Sequence, residues 1–93
     1  MKPIDDNDKS YLLALGKRIK YYREQKGVSQ EQLAFICNVH RTYIGMLERA
    51  ERNPTIISII KVAKGLNVPL EQLLNKLEDE RWLAYANESY TNE

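Results

Sequence analysis

Residues 30–49 read QEQLAFICNVHRTYIGMLER, and this stretch predicts two short helices, over 30–37 and 41–49, joined by a tight turn. The apolar residues of the first helix share one face: Leu33, Ala34 and Cys37. Asn38 follows where the chain must turn sharply, and asparagine tolerates the left-handed backbone region better than most residues. Ile44 and Leu47, three residues apart, form the inner face of the second helix. That second helix therefore turns a polar, arginine-bearing face outward.

The basic residues are concentrated around this helix pair. The whole chain of 93 residues has a net charge of only +1, but residues 17–64 hold ten basic and four acidic side chains. A localised positive surface suits a phosphate backbone, although a lysine-rich surface in contact with solvent is the simpler alternative. Because the charge coincides with the helix pair, the sequence favours a helix-turn-helix whose second helix reads the major groove of DNA.

Length and composition restrict the class of protein further. The chain fits one small domain, and 43% hydrophobic with 29% charged residues is ordinary globular composition. The single cysteine, Cys37, cannot form an internal disulfide, so we expect a core thiol in a reducing, cytoplasmic setting. No apolar run is long enough for a signal peptide or a membrane span. His40 has no partners at metal spacing and no nucleophile is paired with a base, so we expect no metal, cofactor or enzymatic activity.

Three further helices complete an all-α prediction of five helices. Ser10 begins the first helix, which runs to about residue 25 before Gly27. Thr55 caps a fourth helix, which Gly65 or Asn67 ends. Pro69 begins a leucine-rich fifth helix. We therefore predict one domain over residues 10–77, with a flexible arm at 1–9 and a helical extension or tail at 78–93.

Residues 11–75 resemble the Cro/C1 type of helix-turn-helix domain, also called the XRE family, in the segments SQEQLAFICNVHRTYIGMLERAERNPT and NVPLEQLL. The resemblance implies a five-helix, lambda-repressor-like fold. Within that family, RTYIGMLERAERNPT is most similar to controller proteins of restriction–modification systems, which are small dimeric regulators of palindromic operators. The chain departs from the family pattern at Asn38, where a glycine is more usual.

The predicted DNA-binding residues surround the second helix of the pair. Arg41 is the leading candidate for reading a guanine edge, and Thr42 offers a hydroxyl to a base or a methyl to thymine. Tyr43 either contacts DNA or packs over the preceding helix, and Met46 is placed to touch a base methyl. Glycine inside a helix is less stable than alanine, so Gly45 needs an explanation. Either the wall of the DNA groove comes too close for a side chain, or the glycine is tolerated drift, a substitution without a function. The remaining candidates are expected to hold phosphates: Gln30, Arg49, Arg52 and Asn53.

Two other groups of residues are predicted to be structural. By the family resemblance, Arg23 and Glu48 form a partly buried ion pair. The leucines of the fifth helix cover more than one narrow stripe, so part of that helix is predicted to form a homodimer interface: Leu70, Leu73, Leu74 and Leu77.

The leading interpretation is therefore a transcriptional regulator of the controller type, which binds a palindromic operator in double-stranded DNA as a homodimer. RNA polymerase is a further candidate partner. Two alternatives stay open: a phage-type repressor, and an antitoxin or other protein-interaction module that holds its partner through residues 78–93.

Overall fold

The structure, a computed structural model, describes residue 4 and residues 6–78. Its five helices are α1 (Asp6–Lys26), α2 (Gln30–Cys37), α3 (Tyr43–Glu48), α4 (Ile56–Leu66) and α5 (Leu70–Leu74). No strand occurs among these residues, and the predicted all-α, five-helix class is confirmed. The predicted extension lies outside the described residues, except for Glu78.

Three predicted boundaries are wrong. Helix α1 begins at Asp6 rather than Ser10, so the last four residues of the predicted arm are helical. Asp6 and Asp8 lie in its first turn, where carboxylates stabilise the positive end of the helix dipole. Arg41 and Thr42 lie in a turn before α3 rather than inside it, and Leu77 lies in the turn that follows α5.

Helices α2 and α4 have the predicted caps, because both are fixed by local hydrogen bonds. The Ser29 hydroxyl accepts from the Gln32 amide, and the Gln32 side chain accepts from the Ser29 amide, which completes a capping box. The Thr55 hydroxyl accepts from the Ser58 amide and so caps α4. Asn38 and Asn67 end the two helices in the left-handed region, with φ of 57° and 60°. The predicted role of Asn38 is thus confirmed.

The core takes residues from all five helices. Its buried members are Leu15, Ile19, Leu33, Ala34, Cys37, Ile44, Leu47, Ile59, Val62, Ala63, Leu66 and Leu73. Helix α1 lies close to α3 at Gly16, where an added Cβ would lie 2.6 Å from the Leu47 carbonyl oxygen and 2.8 Å from that of Glu48. A glycine is therefore required at this crossing, because backbone atoms occupy the space of a side chain.

Arg18 is completely buried, although the sequence placed it among the basic residues of a DNA-facing surface. Its Nη1 donates to the Leu73 carbonyl over 3.0 Å, and its Nη2 donates to the Lys76 carbonyl over 3.3 Å. Burial lowers the pKa of this guanidinium. Arg18 therefore ties α1 to the end of α5 and contributes nothing to the basic surface.

The predicted dimer interface needs a correction at one residue. Leu73 is 0% exposed within the single chain, so it cannot contact a second copy directly. Leu70, Leu74 and Leu77 are half-buried and pack against the core from its edge. Of the four predicted interface leucines, only these three keep surface that a partner could cover.

Candidate nucleic-acid interface

Within helix α3 the apolar residues Ile44 and Leu47 are buried, and the polar residues Tyr43 and Glu48 are half-buried. Ile44 is 0% and Leu47 is 2% exposed, both against α1 and α2. Five predicted DNA-binding residues, which come just before or just after α3 in the chain, have exposed side chains: Arg41, Thr42, Arg49, Arg52 and Asn53. The exposed candidates therefore lie in the turns just before and just after α3 and not on the helix itself.

Glu48, at the end of α3, fixes the helix pair to α1. Arg23 Nε donates to Glu48 Oε2 over 2.6 Å, and Arg23 Nη2 donates to Glu48 Oε1 over 3.0 Å. The two side chains are only 12% and 4% exposed, so the ion pair predicted from the family resemblance is present and largely buried. Arg23 Nη1 also donates to the Val28 carbonyl. A two-pronged, charge-assisted contact of this kind restrains the orientation of α3.

The side chain of Gln30 joins the same network, which the sequence reasoning missed. Its Nε2 donates to Glu48 Oε1 over 3.0 Å. The amide nitrogen is therefore committed to the protein, while the Gln30 backbone N–H remains at the N-terminal end of α2, where a phosphate oxygen would be stabilised. No sequence signal marked this contact, since glutamine is common at exposed helix starts.

Gly45 is buried, and neighbouring side chains explain why a glycine stands there. An added Cβ would lie 2.9 Å from Gln30 Oε1 and 2.9 Å from Arg49 Nη1. This crowding is a further explanation beside the two predicted ones, a close groove wall and tolerated drift, which stay predictions. The glycine leaves room for two residues that are themselves predicted to contact DNA.

Tyr43 and Arg52 form a second local group. The Tyr43 hydroxyl donates to Ser58 Oγ on α4 over 2.9 Å, and its ring packs against the core. The Arg52 guanidinium lies 6.0 Å from the centre of the Tyr43 ring, at the limit of a cation–π contact. The half-buried tyrosine supports the arginine that follows α3, so part of its role is structural. Met46, also half-buried, lies on the same short helix.

Arg49 pairs with Glu51 at the surface. Its Nε donates to Glu51 Oε2 over 2.9 Å, and its Nη2 donates to Oε1 over 3.2 Å. These hydrogen bonds raise the pKa of Arg49 and lower the pKa of Glu51. Exposed pairs contribute little to stability, so a phosphate can replace the carboxylate at little cost.

Two classes of site are not found in the described part of the chain. Residues 4 and 6–78 contain no group of three or more His, Cys, Asp or Glu side chains that could hold a metal ion. None of the five helices is long and apolar enough to span a membrane.

Comparison with known proteins shows which family the chain belongs to. A helix-turn-helix family model matches residues 19–73. Control protein C.SmaI from Serratia marcescens is 47% identical over 62 residues, which cover 67% of this chain and 74% of that protein. Control protein C.BamHI from Bacillus amyloliquefaciens is 42% identical over 64 residues, which cover 68% and 79%. The crystal structure of the restriction-modification controller protein C.AhdI from Aeromonas hydrophila superposes with a TM-score of 0.65 at 39% identity, covering 67% of this chain and 94% of that one. The chain therefore belongs to the XRE-type helix-turn-helix family of DNA-binding regulators, which are not enzymes, and is similar to restriction–modification controller proteins.

Proposed function

We propose that the protein is the controller of a restriction–modification system and binds a palindromic operator as a homodimer in the cytoplasm. The observation that carries this proposal is the arrangement around α3. The apolar side of that helix is buried, while Arg41 and Thr42 before it and Arg49, Arg52 and Asn53 after it are exposed. RNA polymerase is the partner through which a bound controller would act on transcription.

The residues before α3 read bases in this proposal. The beginning of a recognition helix lies nearest the base edges. Arg41 lies in the turn that precedes α3, and its exposed guanidinium can reach O6 and N7 of guanine together. Thr42 then meets the neighbouring base pair.

The residues after α3 and at the start of α2 hold the DNA backbone. Arg49, Arg52 and Asn53 set the position of the helix on the duplex but carry no sequence information of their own. The backbone N–H of Gln30 contributes a further phosphate contact at the start of α2. Gly45 keeps the space that the side chains of Gln30 and Arg49 need.

Selection of bound sequences from a random duplex library tests the DNA-binding part of the proposal. The wild-type protein should enrich an inverted repeat, and Arg41→Ala should relax one position in each half-site, a loss of about 1–3 kcal/mol in discrimination. Lys64→Ala is the charge-matched control, since this exposed lysine lies in the last turn of α4. A selected sequence without two-fold symmetry would rule out the palindromic operator, and equal effects of both variants would remove Arg41 from base readout.

The homodimer is proposed to form through the edge of α5. Leu70, Leu74 and Leu77 are half-buried there, and a second copy would complete their burial. Leu77→Glu should therefore make the protein monomeric in sedimentation experiments while it remains folded by circular dichroism. Phe35→Glu is the matched control, because Phe35 on α2 is 87% exposed. If Phe35→Glu dissociates the dimer and Leu77→Glu does not, the interface lies on α2.

The same exposed residues favour one alternative function, a protein-interaction module such as an antitoxin. Phe35 is 87% and Ile36 is 46% exposed on neighbouring positions of α2. An apolar surface of this kind often marks a protein contact. In this alternative the purified protein would enrich no DNA sequence even at low salt, where helix-turn-helix proteins bind most strongly.

A further inference from the structure

We infer that His40 determines which bases Thr42 can read, because its Nδ1 accepts a hydrogen bond from the Thr42 hydroxyl. This inference rests on the proposed function, in which Thr42 faces a base pair. His40 lies three residues before α3 and is not itself among the predicted DNA-binding residues. Both residues are exposed.

The argument begins with the backbone of Thr42. Its N–H donates to Nδ1 of His40 over 3.2 Å. A backbone amide can only donate, so Nδ1 must carry a lone pair and the imidazole proton must be on Nε2. The contact therefore fixes the tautomer of His40.

The same nitrogen then fixes the hydroxyl of Thr42. Thr42 Oγ1 lies 2.9 Å from His40 Nδ1. Because Nδ1 has no proton, this contact is a hydrogen bond only if the hydroxyl donates. Thr42 also makes no side-chain cap to α3, although it stands at the N-cap position, so no helix amide occupies the hydroxyl lone pairs.

A hydroxyl that donates to His40 has only lone pairs left for DNA. In the major groove, the amino groups at adenine N6 and cytosine N4 donate hydrogen bonds. Guanine and thymine carry acceptor oxygens at the corresponding place on their edges. Thr42 should therefore select the base that carries an exocyclic amino group, adenine or cytosine, at the position it meets. His40 is the positioning residue for this preference and needs no contact with the base.

The tautomer can be tested without DNA. His40 is the only histidine of the chain, so its ring signals are unambiguous. In slightly alkaline buffer, long-range proton–nitrogen correlation spectra of the full-length protein should show a bare Nδ1 and a protonated Nε2. A proton on Nδ1 would overturn the inference, whatever the protein binds.

The base preference is tested by selection from a random duplex library with the full-length protein and three variants. Thr42→Val, which keeps the methyl group, identifies the position that the hydroxyl reads. Wild type should prefer adenine or cytosine there, and His40→Ala should reduce that preference about fivefold, the effect of one hydrogen bond. His40→Asn should restore it, because its amide oxygen can accept from the same two donors.

The two failures are distinguishable. A preference for guanine or thymine, or a preference that His40→Ala leaves unchanged, would overturn the role of His40 and leave the regulator intact. If the wild-type protein enriched no sequence at all, the proposed function itself would fail.

Discussion

Gly16 and Gly45 both stand inside helices, and the same change to alanine should have opposite effects at the two positions. An alanine Cβ at Gly16 would lie 2.6 Å from the Leu47 carbonyl oxygen and 2.8 Å from that of Glu48. A carbon and a carbonyl oxygen need about 3.3 Å, so α1 and α3 must separate by about 0.7 Å. Both oxygens are backbone atoms at the end of α3, and no side-chain rotation relieves the contact.

The expected size of the effect follows from two terms. Overpacking of a rigid contact costs up to about 3 kcal/mol, and alanine gains about 1 kcal/mol over glycine inside a helix. Gly16→Ala should therefore lower the free energy of unfolding by about 2 kcal/mol, which is about 10 °C in the thermal midpoint of a chain this small. At Gly45 the nearest atoms are the ends of Gln30 and Arg49, which can rotate away. Gly45→Ala should therefore leave stability unchanged or slightly higher.

Urea unfolding followed by circular dichroism measures both variants, at one protein concentration because the proposed dimer would add to stability. Operator binding is a second measurement that distinguishes the two variants. Gly45→Ala should weaken operator binding, since the alanine displaces Gln30 and Arg49 from their positions. If Gly16→Ala proved as stable as wild type, the close crossing of α1 and α3 would be refuted.

The other predictions concern the ion pair and the thiol. Glu48→Gln should lower the free energy of unfolding by about 3 kcal/mol, because it leaves the buried Arg23 guanidinium without its carboxylate. Glu51→Gln, at an exposed pair, should barely change the urea midpoint, and equal losses in the two variants would contradict the burial of Glu48. Gly65→Ala should destabilise the protein, because the added Cβ collides with Cys37 Sγ. Cys37→Ala should rescue this loss, with a coupling free energy of about 1 kcal/mol or more in a double-mutant cycle. If the losses in free energy of unfolding were additive, the two residues would not touch. Burial raises the pKa of the Cys37 thiol, so a disulfide reagent should modify the native protein far more slowly than the urea-unfolded protein, and equal rates would place the thiol at the surface.

Local hydrogen bonds explain why much of the fold could be predicted from the sequence. Ser29 and Thr55 each cap a helix through an amide three residues away, and Asn38 ends α2 through its own backbone conformation. Such contacts leave a short pattern of residue types at fixed spacing. The burial of Ile44 and Leu47 also followed from spacing alone. Arg41 and Arg52 are exposed, as a DNA contact requires, and the contact itself stays a prediction.

The sequence by itself determined the five helices of the described residues, the caps of α2 and α4 and the buried face of α3, because these depend on interactions within a few residues. Only the tertiary structure decided that Arg18 and Leu73 are buried and that a glycine is needed at position 16. The Arg18 guanidinium reaches the carbonyl of a residue 55 positions away, and the same helix end buries Leu73 completely. Gly16 is needed because the carbonyls of α3 lie against it. Contacts between residues so far apart leave no periodic pattern in either segment, so an arginine read as surface charge and a leucine read as interface both belong to the interior.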